Sequence, residues 1–120
     1  MTDRLAAVAF GARAERAVAE ALAADGWRVL AQNWRAAGGE VDLIAVRDGR
    51  LRFVEVKARH DALVDGEDAI TPDKQRRIAA AADAWLDAHA VDAHEVAVLV
   101  AVVDGDDLSI RWIDDAFDAR

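Results

Sequence analysis

The chain has 120 residues, 54% of them hydrophobic, enough for one globular domain spanning 1–120 with a core of its own. It has no cysteine, which excludes disulfide frameworks and thiolate chemistry and makes a cytoplasmic location the expectation. The net charge of −8 argues against a dominant nucleic-acid footprint, but residues 1–80 balance at 13 basic and 13 acidic groups while residues 81–120 hold 2 against 10.

Residues 4–24 predict a helix, with Thr2 or Asp3 as its N-cap and Asp25-Gly26 as its stop. Val8, Val18 and Leu22 share one side of it, and Glu15 falls inside the same apolar arc. A carboxylate there is costly unless it has a partner or a task. The leading Met-Thr-Asp-Arg enters an alanine-rich amphipathic helix, not the apolar block of a signal peptide. Residues 27–34 follow as a short mixed strand, and Ala36-Ala37-Gly38-Gly39 predicts a turn. Residues 41–46 and 51–58 read as two strands joined at Asp48-Gly49, a strong hairpin signal.

A polar loop is expected over 60–68. Thr71-Pro72-Asp73 then starts a second helix, with the threonine hydroxyl as N-cap and proline in the first helical position. It runs to about residue 89, with Ile78, Ala81 and Trp85 on its inner face and Lys74 at the N-terminal end of that face. Arg76, Asp83 and Asp87 fall on the other side. Residues 95–103 are apolar on both faces, as a central buried strand is. That run is far short of the ~20 apolar residues of a membrane span, so no membrane partner is expected. Gly105-Asp106-Asp107 turns into a last strand, 108–113, with an acidic tail behind it.

The first three strands form an antiparallel meander, and the second helix is long enough to be a crossover that returns the next strand parallel. The fold class is therefore α/β: a mixed sheet flanked by helices.

If Asp48 and Gly49 are the whole loop, Arg47 faces Arg50, Asp42 lies opposite Glu55, and Glu40 lies opposite Lys57. Residues two apart share a strand face, so all four charged groups at 40, 42, 55 and 57 point one way. Opposed Cβ atoms sit roughly 4.5–5.5 Å apart, where two carboxylates repel. A divalent cation removes that conflict. Mg²⁺ or Mn²⁺ suits phosphodiester hydrolysis here, because such ions take few carboxylates, keep waters and accept phosphate oxygens. Asp42 and Glu55 would be direct ligands, Lys57 would orient or deprotonate the attacking water, and Glu15 would bind a second cation or one of its waters. A solvated hairpin face explains the same four residues, with Glu40–Lys57 as a cross-strand ion pair worth little. Lysine is the rarer choice in a chain with 13 arginines and only two lysines, Lys57 and Lys74.

Other candidates are weaker. His60, His89 and His94 lack metal-ligand spacing. Trp34 beside Arg35 offers a base-stacking surface, although a partly buried strand-end tryptophan is favoured. Arg76 and Arg77 are phosphate contacts or solvated helix-face residues.

The segments Gly11-Ala-Arg-Ala-Glu15-Arg-Ala, Gly26-Trp-Arg-Val-Leu-Ala-Gln-Asn33-Trp-Arg35, Gly39-Glu40-Val-Asp42-Leu-Ile-Ala, Phe53-Val-Glu55-Val-Lys57-Ala-Arg59 and Ile70-Thr-Pro-Asp-Lys74-Gln-Arg-Arg follow in order over 11–77. In them the chain resembles the YraN-like family of small bacterial proteins, whose fold is restriction-endonuclease-like, within the PD-(D/E)xK nuclease superfamily. Archaeal Holliday-junction resolvases are similar in their layout of acids and lysine. The resemblance implies a metal-dependent nuclease fold with a nucleic-acid partner, DNA ahead of RNA. It puts the metal-binding acids on Asp42 and Glu55, the catalytic lysine on Lys57 and the helix-borne glutamate on Glu15. Gln75 is a further candidate near the site, and Arg35, Arg59, Lys74 and Arg77 are candidate nucleic-acid contacts. Relatives often carry an aspartate entering the fourth strand, where this chain has His94-Glu95.

Three functions are therefore expected in order. The first is a Mg²⁺- or Mn²⁺-dependent nuclease on branched or single-stranded DNA in repair or recombination, for which a homodimer would suit one compact site. The second is a non-catalytic nucleic-acid-binding module with a vestigial metal site. The third is a protein-interaction domain that uses the acidic C-terminal third.

Overall fold

The computed structural model describes residues 3–59 and 70–117; the loop expected over 60–68, His60 and Thr2 lie outside them. The elements follow in the order α1 (Asp3–Ala24), β1 (Arg28–Ala36), β2 (Gly39–Arg47), β3 (Arg50–Arg59), α2 (Pro72–Ala88), β4 (Glu95–Asp104) and β5 (Ile110–Ile113). The five strands form one sheet in sequence order. β3 and β4 are parallel and the other neighbours antiparallel. α2 is therefore the crossover, and the α/β, restriction-endonuclease-like layout read from the sequence is the one observed.

Each helix covers one face of the sheet. Phe10, Ala14, Val18 and Leu22 recur every fourth residue of α1 and are all buried. The last three pack on Leu43, Ala45, Val54, Leu99, Ala101 and Val103. Val8, expected on this stripe, is 66% exposed. It lies off the four-residue row that meets the sheet, so its apolar character reflects no packing against the strands. Glu15 borders the row beside Ala14. α1 ends in a Schellman motif, in which Trp27 N donates to Leu22 O at 2.9 Å and Gly26 N to Ala23 O at 3.1 Å, with Gly26 at φ +85°.

On the other face, Ile78, Ala81, Ala82 and Trp85 of α2 pack on Val41, Ile44, Leu51, Phe53 and Val98. Thr71 caps α2 by accepting from Lys74 N at 3.1 Å. The start of β2 meets α2 closely. A Cβ on Gly39 would lie 1.9 Å from Arg77 O and 3.3 Å from Ala81 Cβ. Glycine is what permits that approach.

Both hairpins use two-residue turns with two positive φ angles, Ala37-Gly38 (+56°, +78°) and Asp48-Gly49 (+50°, +76°). The first turn is tighter than the four-residue turn expected, because Ala36 and Gly39 already pair. In the second hairpin the register is the expected one, from Arg47↔Arg50 to Leu43↔Val54. There the paired residues end, one step before Asp42 and Glu55. Glu40 does not complete the expected cross-strand pair with Lys57. It sits opposite Arg35 in β1, with Arg35 Nε 3.5 Å from its carboxylate. Beyond Leu43 only β1 still holds β2, so Glu40 takes its partner from that side.

Side-chain alternation slips at the same level. Leu43 packs with α1 and Val41 with α2, although residues two apart in an unbroken strand share a face. Their partners in β1 are Gln32 and Trp34, and the residue between those, Asn33, has φ +51°. Asparagine tolerates this left-handed conformation better than most residues. Asn33 and Asp42 thus mark one kink that crosses both strands.

Candidate functional site

The divergence of β2 from β3 makes a cleft of about 130 Å³ lined by Glu40, Asp42, Glu55, Lys74, Arg77 and Ile78. Strand β2 supplies the first two, β3 supplies Glu55, and the first turns of α2 supply the rest. Where backbone pairing stops, the Asp42 carboxylate replaces it: Val56 N donates to Asp42 Oδ2 at 2.8 Å. Glu55 is 4% exposed. Its only cationic contact among the described residues is Lys74, whose Nζ lies 2.5 Å from Oε1.

A half-buried acid beside a buried one cannot ionise as freely as either would alone. Burial first, then the Asp42 charge, push the Glu55 carboxyl up to about 7, against the pull of Lys74. Asp42 is raised as well, by burial above all, while the Val56 N–H and the hydrogen bond from Glu55 restrain it. The two act as a pair, with Glu55 the group that holds the proton. Glu15 is also raised, by burial and then by Asp42, and a hydrogen bond to Asn33 restrains it. Lys57 is lowered, first by burial and then by the neighbouring Lys74 ammonium.

Asp42, Glu55, Lys74 and Arg77 therefore meet in one cleft. Glu15 and Lys57 flank it, each close enough to the acids to interact electrostatically but not among the lining residues. The other residues expected at the site, Arg35, Arg59 and Gln75, are not among those that line the cleft. Gln75 Nε2 donates to Ile70 O at 3.3 Å, and Arg35 engages Glu40 on the sheet edge. Arg59 Nε is buried with no hydrogen-bond partner among the described residues. Arg77 Nε reaches Gly38 O at 3.4 Å.

Two residues of this region were not foreseen as parts of the site, Asn33 and Glu40. An asparagine inside an otherwise strand-like run is the signal for the first. A third feature lies away from the cleft. Arg52, 4% exposed, donates to Asp114 Oδ1 and Glu95 Oε1, each at 2.7 Å, and ties β3 to the entry of β4 and the chain beyond β5.

No three His, Cys, Asp or Glu side chains among the described residues come together as a metal cage. The donor set is a pair of carboxylates in a small polar cleft. That set does not fit an ion that needs all its ligands from protein. It does fit Mg²⁺ or Mn²⁺ held by two carboxylates and otherwise by water. Among the described residues no helix is long and apolar enough to cross a membrane.

Residues 14–108 match the uncharacterised protein family UPF0102. A UPF0102 protein of Rhodopseudomonas palustris (strain ATCC BAA-98 / CGA009) is 40% identical over 116 residues, 97% of this chain and 88% of that one. One from Bradyrhizobium sp. (strain ORS 278) is 49% identical over 87 residues, 72% of this chain and 61% of its own length. One from Nitrobacter winogradskyi is 49% identical over 86 residues, 72% of each chain. With the match running from α1 through β4 and over every residue of the cleft, the chain belongs to the uncharacterised protein family UPF0102.

Proposed function

We propose that this protein is a Mg²⁺- or Mn²⁺-dependent nuclease that hydrolyses phosphodiester bonds in DNA, branched or single-stranded, in the cytoplasm during repair or recombination. The observation that supports it most is the half-buried Asp42 beside the buried Glu55 in a cleft bordered by Lys57, Lys74 and Arg77. Ionising both acids at such close quarters is costly, and a cation would offset that cost, so the arrangement makes best sense as a cation site.

Asp42 and Glu55 would hold the ion, with Glu15 reaching one of its waters. The ion supplies Lewis-acid stabilisation of charge on the phosphate and lowers the pKa of bound water. Lys57, whose ammonium is destabilised by burial, orients the attacking water and takes up its proton at Nζ. Lys74 and Arg77 bind the phosphate at the mouth of the cleft. The water oxygen bonds to phosphorus as one ester P–O bond breaks, and the leaving oxygen takes a proton from solvent, to which Lys57 returns the one it took up.

One observation favours a second reading, a nucleic-acid-binding module without catalysis. The Lys74–Glu55 contact already supplies a cation to the acids. Cleavage assays at low salt on duplex, flap, four-way and single-stranded DNA with Mg²⁺ or Mn²⁺ separate the two. The nuclease reading expects cutting that falls about 10²- to 10⁴-fold in Lys57→Ala, the usual range for a general acid–base group. Equal cutting by that variant removes Lys57 from the mechanism. DNA binding without cutting selects the second reading.

A further inference from the structure

Lys74 occupies an unusual place for a residue that would serve only a phosphate. Its backbone is fixed by the Thr71 cap and by Pro72 at the first helical position. Its Nζ rests on Glu55 Oε1 at 2.5 Å, yet 41% of the side chain is open to solvent while Glu55 is almost wholly enclosed. Its charge also lowers the pKa of Asp42 and of Lys57, so it acts on both acids of the pair and on the lysine beside them. A divalent ion on Asp42 and Glu55 would bind the carboxylate that Lys74 already touches. An ammonium touching the same carboxylate is then a like charge at contact range. Both cannot keep their places.

We infer that Lys74 is a tethered counter-cation of the acid pair, which an incoming divalent ion displaces toward the cleft mouth, where the freed ammonium binds a phosphate of the nucleic acid beside Arg77. This rests on the metal site proposed above. Its consequence is reciprocal coupling. The ion must expel Lys74, and the phosphate rewards its expulsion, so each ligand tightens the other. Without either ligand, the ammonium offsets the charge of the acids, and the metal-free protein keeps its fold. The exposed stem gives the side chain a solvated path outward, and the fixed first turn of α2 limits how far it travels.

The test is a Mn²⁺ titration at pH 8, above the Glu55 transition, read by calorimetry and by thermal shift. It is run with and without a phosphorothioate oligodeoxynucleotide on wild type and on Lys74→Met, Lys74→Arg, Arg77→Met and Asp42→Asn. The wild type should bind Mn²⁺ about tenfold more tightly with the oligonucleotide than without, within the usual range of such couplings. Lys74→Met should bind Mn²⁺ alone about tenfold more tightly than wild type and lose the enhancement. Lys74→Arg should retain it. If Lys74→Met binds Mn²⁺ no more tightly than wild type, while Asp42→Asn abolishes binding, displacement is overturned and the metal site stands. If Arg77→Met matches Lys74→Met, the effect is general cleft charge and the role of Lys74 is overturned. If wild type shows no Asp42-dependent Mn²⁺ binding, both readings fall.

Discussion

The Asp42 carboxylate accepts a hydrogen bond from Val56 N at 2.8 Å, standing in for the backbone partner that β3 loses when β2 turns away. One oxygen of a candidate metal ligand is therefore also structural. Asp42→Asn keeps an acceptor for that N–H and removes the charge. Asp42→Ala removes both and leaves the N–H without its partner, which costs about 1–3 kcal/mol. In urea denaturation Asp42→Asn should exceed Asp42→Ala by roughly that amount. Equal stabilities would mean that water or another group satisfies Val56.

Glu55 sets a pH dependence. Its folded-state pKa, about 7, exceeds the ordinary 4.5, so between these values the folded state binds the extra proton. Stability then falls as pH rises through about 4.5–7, and the loss is complete above the folded value. The size should be on the order of a few kcal/mol. Asp42, also raised, adds in the same direction. Glu55→Gln should flatten the slope in melts recorded across that window. Stabilisation by Mg²⁺ or Mn²⁺ should grow through the same window, because the ion competes with the proton.

Asn33 combines a left-handed backbone with a hydrogen bond that restrains Glu15. Asn33→Ala meets the left-handed penalty of about 1–2 kcal/mol, while glycine avoids it at a smaller entropic cost. Asn33→Gly should therefore be the more stable variant by chemical denaturation. Both variants lose the hydrogen bond, so the Glu15 carboxyl should titrate higher than in wild type by NMR. A Glu15 that titrates unchanged would show that Asn33 serves the backbone alone.

What the sequence made legible was local or periodic. Asp48-Gly49 announces its two-residue turn and thereby the register of five residue pairs. Thr71-Pro72 announces the start of α2, and the inner face it fixes carries Lys74 to the acids. The kink at Asn33 and Asp42 was not legible, since strict alternation is the default for a strand and the slip depends on which helix each side chain meets. Nor was the choice of Arg35 by Glu40. Both Arg35 and Lys57 are in keeping with pairing rules, and only the end of the β2–β3 ladder decides between them. Val8 was misplaced because a broad apolar arc on a helical wheel does not say which four-residue row meets the sheet.

The last prediction concerns what holds the cleft to its width. Gly39 touches α2 backbone at the turn that carries Arg77, one turn beyond Lys74, and a methyl group there would sit 1.9 Å from Arg77 O. Carbonyl and strand must separate to admit it. Gly39→Ala should cost stability at or above the upper end of the ~1–3 kcal/mol typical of overpacking. It should also lift the first turns of α2 from the sheet and draw Lys74 away from Glu55. Loss of that counter-charge raises the Glu55 pKa further, since Lys74 is what holds it down. Gly38→Ala is the control, because a Cβ there meets nothing within 4 Å, although its φ of +78° brings backbone strain. Denaturation reports the first effect and a Glu55 carboxyl NMR titration the second. A Glu55 titration that moves in Gly39→Ala but not in Gly38→Ala would identify the Gly39 contact with α2, and not turn strain, as what sets the electrostatics of the acid pair.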